Sequence, residues 1–197
     1  MNFLAHLYLS KNNKNILIGN FIADAVKGNK YNNFPSEIKA GILLHRAIDN
    51  YTDKHPIVRK SKRRLHERYK HYDGVIIDIL YDHFLAKNWL NYSNIPLKTY
   101  ADNTYSFLQN NIDIFPEKIK KILPYMIEHN WLVAYASIEG IEKILQGMNK
   151  RTKGISKMDM AIEDLNCHYK ELELDFTTFF KSLEQFTEEK TTLLLLT

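Results

Sequence analysis

Ser36-Glu-Ile-Lys-Ala-Gly-Ile-Leu-Leu-His-Arg-Ala-Ile-Asp-Asn-Tyr-Thr-Asp53 is the stretch whose reading decides the fold. At about 100° per residue, Ile38, Gly41, Ile42, Ile48 and Thr52 fall within about 60° of His45, and Lys39, Arg46, Asn50 and Lys54 fall on the far side. One face is apolar over five turns, so the segment is a helix with a buried stripe. His45 lies at the centre of that stripe and Asp49, one turn on, lies within it; Asp53 sits at its edge. A histidine and a carboxylate are thus carried into the interior by an otherwise ordinary amphipathic helix.

Working outward, helical spacing recurs almost everywhere and strand alternation almost nowhere. Helices are expected over 13–28, 36–53, 57–71, 74–91, 97–111, 116–138, 139–150 and 156–190, the last with a break near Glu171. Pro35-Ser36, His55-Pro56, Asp73-Gly74, Asn94-Ile95-Pro96 and Phe115-Pro116 supply the stops and starts between them. Residues 3–9 are too few to distinguish a short helix from an extended arm. With no repeat and no linker-like tract, 1–197 reads as a single-domain, all-α helical bundle.

Composition narrows the function. The 197 residues carry 27 Lys and Arg against 23 Asp and Glu, and 45% are apolar, which is globular rather than disordered. Seven glycines leave no Gly-rich phosphate loop, and the lone Cys167 excludes an intramolecular disulfide framework and a Cys-based zinc cluster. The apolar start Met1–Leu9 lacks a basic leader and is interrupted by His6, so it does not read as a signal peptide. No run of about 18 apolar residues suggests a membrane span. A cytoplasmic setting is expected.

The helix over 74–91 repeats the pattern of His45 and Asp49. Val75, Ile79, Leu85, Ala86 and Trp89 cluster around Asp82, and Asp78 joins them one turn earlier. Asp24 similarly shares a face with Leu17, Asn20, Phe21 and Gly28. An unpaired buried carboxylate costs several kcal/mol, so a group of them needs a positive partner. Structural ion pairs with Arg46 or Lys27 are one solution. A divalent cation is the other, and carboxylates plus imidazoles from three helices favour it. His45-x-x-x-Asp49 and Asp78-x-x-x-Asp82 have the spacing that aims two ligands at one site, so His45, Asp49, Asp78 and Asp82 are the candidate metal ligands. Carboxylate with imidazole and no thiolate suits Mn²⁺, Mg²⁺ or Fe better than structural zinc.

A basic run, Arg59-Lys-Ser-Lys-Arg-Arg-Leu-His-Glu-Arg-Tyr-Lys70, has seven cations among twelve residues. Arg59, Lys60, Lys62, Arg63, Arg64 and Arg68 are therefore candidates for binding an acidic partner, either nucleic acid or an acidic protein. Smaller clusters at Lys118, Lys120 and Lys121 and at Lys150, Arg151 and Lys153 extend the basic surface.

Taken together, Asn2-Phe-Leu-Ala-His6-Leu, Gly19-Asn20 with Asp24, His45-Arg46-x-Ile48-Asp49-x-x-Thr52-Asp53-x-x-Pro56 and Asp78-x-x-x-Asp82-His83-Phe84-Leu85 with Trp89 resemble the bacterial acyl carrier protein phosphodiesterase family. The resemblance is densest over residues 1–90. It implies an all-helical, HD-domain-like enzyme, dependent on a divalent cation, typically Mn²⁺. Such an enzyme hydrolyses 4′-phosphopantetheine from holo-acyl carrier protein to leave the apo-protein. No His-Asp dipeptide is present; His45…Asp49 and the reversed Asp82-His83 stand nearest to one. In that setting Asp24 is expected as a further ligand or as the base that orients water, Arg46 as a phosphate clamp, and His6 or His83 as the acid for the leaving serine oxygen. An HD-like hydrolase of nucleotides or nucleic acid, and a non-catalytic helical adaptor for an acidic protein, are the competing readings.

Overall fold

The structure, a computed structural model, describes residues 1–196. Eleven α-helices and short 3-10 turns make it up, with no strand among the described residues. The principal helices are α1 (Phe3–Leu9), α2 (Lys14–Ile22), α3 (Ser36–Lys54), α4 (Pro56–Tyr69), α5 (Asp73–Lys87) and α6 (Leu97–Asn110). They are followed by α7 (Glu117–Glu128), α8 (Trp131–Ala134), α9 (Ile138–Arg151), α10 (Ala161–Cys167) and α11 (Tyr169–Leu195). The all-α bundle read from the sequence is the observed architecture. No helix among the described residues is long and apolar enough to cross a membrane.

Local chemistry sets the boundaries. The Asn13 side chain accepts the amides of Asn15 and Ile16 to open α2, and His55 Nδ1 accepts that of Ile57 beside Pro56 to open α4. Three boundaries differ from expectation. The first expected helix ends at Ile22 and continues as a 3-10 turn over Ala23–Ala25. The helix expected over 116–138 breaks at Asn130, whose left-handed backbone (φ 43°) is a conformation asparagine tolerates better than most residues. The last one breaks at His168 rather than near Glu171.

α5 is buried nearly all round, from Ile76 to Ala86, and forms the axis of the bundle. α11 packs against it, with Phe176 and Phe179 on Tyr81, Phe176 also on Phe84, and Phe180 beside Phe176. One apolar core runs from Leu4 in α1 to Leu183 in α11. The basic helix α4 docks on α11 and α10 through ion pairs. Lys60 and Arg64 reach Asp175 at 3.0 and 2.6 Å, and Arg68 reaches Glu163 and Asp164 at 2.9 and 3.0 Å.

α2 and α3 cross in main-chain contact, where Gly19 faces Gly41. A Cβ at Gly41 would meet the Ile16 carbonyl oxygen at 2.3 Å, and one at Gly19 would meet the Ile38 carbonyl oxygen at 2.1 Å. Glycine on both helices is therefore a condition of the contact. Gly41→Ala is expected to cost about 1–3 kcal/mol through overpacking, which lowers Tm by about 2–4 °C per kcal/mol in a chain of this size. Gly147→Ala on α9, with open space around it, should leave Tm unchanged or raise it. Thermal unfolding followed by circular dichroism checks both.

Candidate metal centre

The α2–α3 crossing brings Asn20, one residue beyond Gly19, against two imidazoles. Asn20 is fully buried in an otherwise apolar turn. Its amide nitrogen donates to the His6 carbonyl oxygen (2.8 Å) and to Ser10 Oγ (3.0 Å), which fixes the amide's orientation. Its side-chain oxygen therefore accepts from His6 Nδ1 at 2.8 Å, and its backbone oxygen accepts from His45 Nδ1 at 2.9 Å. Both rings carry their proton on Nδ1 and turn Nε2 the same way. They stack with centroids 3.9 Å apart. One buried asparagine thus sets the tautomer and direction of two histidines.

Both Nε2 atoms meet Asp49. His6 Nε2 lies 3.1 Å from Oδ1 and His45 Nε2 lies 3.1 Å from Oδ2. Asp24 closes the group, with Oδ1 3.2 Å from His45 Nε2. His6, His45 and Asp49 offer ligand atoms within 4.8 Å of one another, close enough to hold one metal ion. His45 and Asp49 border a cavity of about 220 Å³ lined also by Met1, Asp24, Thr52, Asp53 and Asp78, while His6 is buried against them. Thr52 Oγ1 is buried on that cavity with no hydrogen-bond partner among the described residues. Carboxylate and imidazole donors with second nitrogens anchored by backbone and amide oxygens, beside an orphaned hydroxyl, are a donor set that fits a divalent cation.

Electrostatics follow from this crowding. Burial disfavours a charged His45, yet hydrogen bonds to Asp24 and Asp49 outweigh it and lift its pKa to about 9. Burial and the neighbouring His45 charge push His6 down to about 4. Burial also opposes ionisation of Asp49, but the two histidines hold its carboxyl well below the usual carboxylate range. His45 holds Asp24 low as well.

The other expected residues divide. Asp78 lines the cavity, and its neutraliser is the Met1 ammonium at 3.0 Å, a partner the sequence reading did not weigh. Asp24 lies on the exposed rim, not on a buried helical face, because α2 has already ended. Asp82 is fully buried but turned away from the cavity. It accepts the backbone amides of Leu4 (2.7 Å), Asn2 (3.3 Å) and Ala5 (3.4 Å), capping α1 from across the bundle. Burial raises its pKa to about 7 against those donors and the Met1 charge. His83 is further removed, with its nitrogens on the Tyr135 carbonyl oxygen (2.7 Å) and the Tyr169 hydroxyl (2.9 Å). Arg46 holds the Val26 and Gly28 carbonyl oxygens at 2.7 and 2.9 Å and lies over the Tyr31 ring, which latches the segment after Asp24 instead of reaching the cavity.

The helical bundle thus carries an imidazole–carboxylate cluster whose spacing fits one metal ion. A family described as acyl carrier protein phosphodiesterase matches residues 1–183, and the chain belongs to that family. Its curated relatives include acyl carrier protein phosphodiesterases of Pectobacterium atrosepticum, 32% identical over 95% of this chain and 98% of the relative, and of Yersinia pestis, 32% identical over 96% and 99%. The Escherichia coli relative is 31% identical over 96% of this chain and 99% of its own length. No solved structure matches.

Two outcomes follow from the geometry. Asp82→Ala strands the buried Leu4 amide and is expected to lose about 1–3 kcal/mol in urea unfolding, and Asp82→Asn, which keeps an acceptor, less than half of that. In protein stripped of metal, His45 stabilises below pH 6.5 and loses that contribution as pH rises through about 9. His6, with its pKa lowered, withdraws stability as pH falls from 6.5 through about 4. The urea midpoint of the stripped wild type should therefore exceed that of His45→Gln most below pH 6.5, and the gap should close as pH rises through about 9.

Proposed function

We propose that this chain is a divalent-cation-dependent phosphodiesterase that releases 4′-phosphopantetheine from holo-acyl carrier protein, leaving apo-protein. The observation that carries this reading is the convergence of His6 Nε2 and His45 Nε2 on Asp49, with both Nδ1–H groups pinned by Asn20. Membership of the family and the printed activity of its relatives support the substrate. Mn²⁺ is the first candidate, with Mg²⁺ and Fe as alternatives, because the donors are oxygen and imidazole nitrogen without sulfur.

His6, His45 and Asp49 would hold the ion, with Asp24 on the open side. When bound, the cation supplies Lewis-acid polarisation of the phosphoryl oxygens and lowers the pKa of water. The chain's own part is orientation and proton handling. Asn20 keeps both imidazoles from rotating or changing tautomer. Asp24, exposed at the mouth and kept ionised by His45, accepts a proton from the attacking water. The water oxygen would join phosphorus, the bond from phosphorus to the carrier's serine oxygen would break, and that oxygen would take up the proton that Asp24 had received from the water. Asp82 and His83 take no part in this reading, and Arg46 acts by holding the segment that carries Asp24.

The test is incubation of holo-carrier with the protein and Mn²⁺, followed by mass spectrometry of the carrier. Loss of the prosthetic group, abolished by chelation, is the expected result. An intact carrier alongside cleavage of cyclic or linear nucleotides would overturn the substrate. Asp49→Asn and His45→Ala should weaken Mn²⁺ binding at least tenfold and remove turnover. Asp82→Asn should hold Mn²⁺ affinity within about threefold, in calorimetric titration.

A further inference from the structure

The basic clusters on α7 and α9, distant in sequence, come together on one surface. Lys118, Lys121 and Arg151 line a cavity of about 380 Å³ that shares Ile122, His129, Trp131 and Arg151 with a neighbouring cavity of about 620 Å³. The two make one groove between α7, α8 and α9. Its floor is apolar, built on Ile122, Trp131, Ile144 and Met148, and Lys143 adds a further cation. Lys118, Lys121, Lys143 and Arg151 are exposed and have no ion-pair partner among the described residues. Among the described residues, Glu139 is the only carboxylate that lines the groove.

The helix the sequence marked for this role is differently placed. On α4, Lys60, Lys62, Arg64 and Arg68 are all engaged by Asp175, Asp53, Glu163 or Asp164 of this same chain. Of the six candidates, Arg59 and Arg63 have no carboxylate partner among the described residues. Much of the field of α4 is therefore neutralised at short range, whereas that of the α7–α9 rim is available to a partner.

The groove also has the right neighbour. Met1 lines the cavity of the candidate metal centre, and the next two residues, Asn2 and Phe3, line the groove. The two hollows lie on either side of one three-residue stretch of backbone.

We propose that the α7–α9 groove is the docking surface for the acidic carrier protein, whose carboxylates meet Lys118, Lys121, Lys143 and Arg151 while an apolar side chain enters the slot over Trp131. This rests on the substrate proposed above and adds where that substrate sits. Charge complementarity of this kind governs encounter and register more than the chemical step, so its loss should appear in KM.

The test compares Lys121→Glu/Arg151→Glu with Arg59→Glu/Arg63→Glu, all at exposed positions. Three readouts are needed: KM and kcat on holo-carrier, turnover of bis(4-nitrophenyl) phosphate, and anisotropy of fluorescently labelled apo-carrier. The groove pair is expected to raise KM and the dissociation constant about tenfold or more, with kcat and small-diester turnover within about twofold; the α4 pair should shift KM less than about threefold. A larger effect from the α4 pair, or equal effects from both, overturns the proposal. So does unchanged carrier affinity with lost binding of an RNA oligonucleotide. If the wild-type chain fails to strip the carrier, the proposed activity fails separately, and carrier anisotropy alone decides the docking site.

Discussion

A carboxylate half-buried at the edge of a helical bundle is gripped by two buried imidazoles, and the way Asp49 is compensated organises this molecule. Two imidazoles reach it, each held from behind by one asparagine, so the charge of Asp49 is met by groups that cannot turn away. That arrangement needs α1, α2 and α3 to meet at once. α1 supplies His6, α2 supplies Asn20 and α3 supplies both His45 and Asp49. The glycine crossing of α2 and α3 brings the Asn20 carbonyl within reach of His45, and the cap that Asp82 places on α1 sets the helix bearing His6.

Neighbouring carboxylates meet different fates within one turn of α5. Asp78 points to the cavity and is met by the Met1 ammonium, while Asp82 faces the start of α1 and is met by three amides. The first is electrostatic furniture of the cavity. The second is a structural support for it, acting through the position of His6. A helical wheel records only the face, and both residues share that face; the difference lies in what the rest of the chain brings opposite them.

This marks how far the sequence could be read. The buried stripe of α3 and the all-helical architecture follow from periodicity, because burial of one face is a local property. His45 and Asp49 were legible for the same reason. Asn20 carried a signal, a lone amide between apolar residues of α2, but its partners are on other helices. Asp24 was misplaced because the wheel was continued past Ile22, where the helix tightens and turns the side chain outward. His83 and Arg46 found partners, Tyr135, Tyr169, Val26 and Gly28, that no spacing rule announces. The basic helix was legible as charge and not as free charge, since the acids that engage it lie as far away as α11.

The glycine crossing has a mechanical consequence. With two main chains in direct contact and no side chain between them, α2 and α3 have no slack to slide or part, and they behave as a single lever. The segment between them, residues 23–35, carries Asp24 to the rim of the cavity and is tied to α3 by the Arg46 guanidinium on two carbonyl oxygens. The spacing of Asn20, His45 and Asp49 is thus set by main-chain contact, not by side chains that could repack around one another.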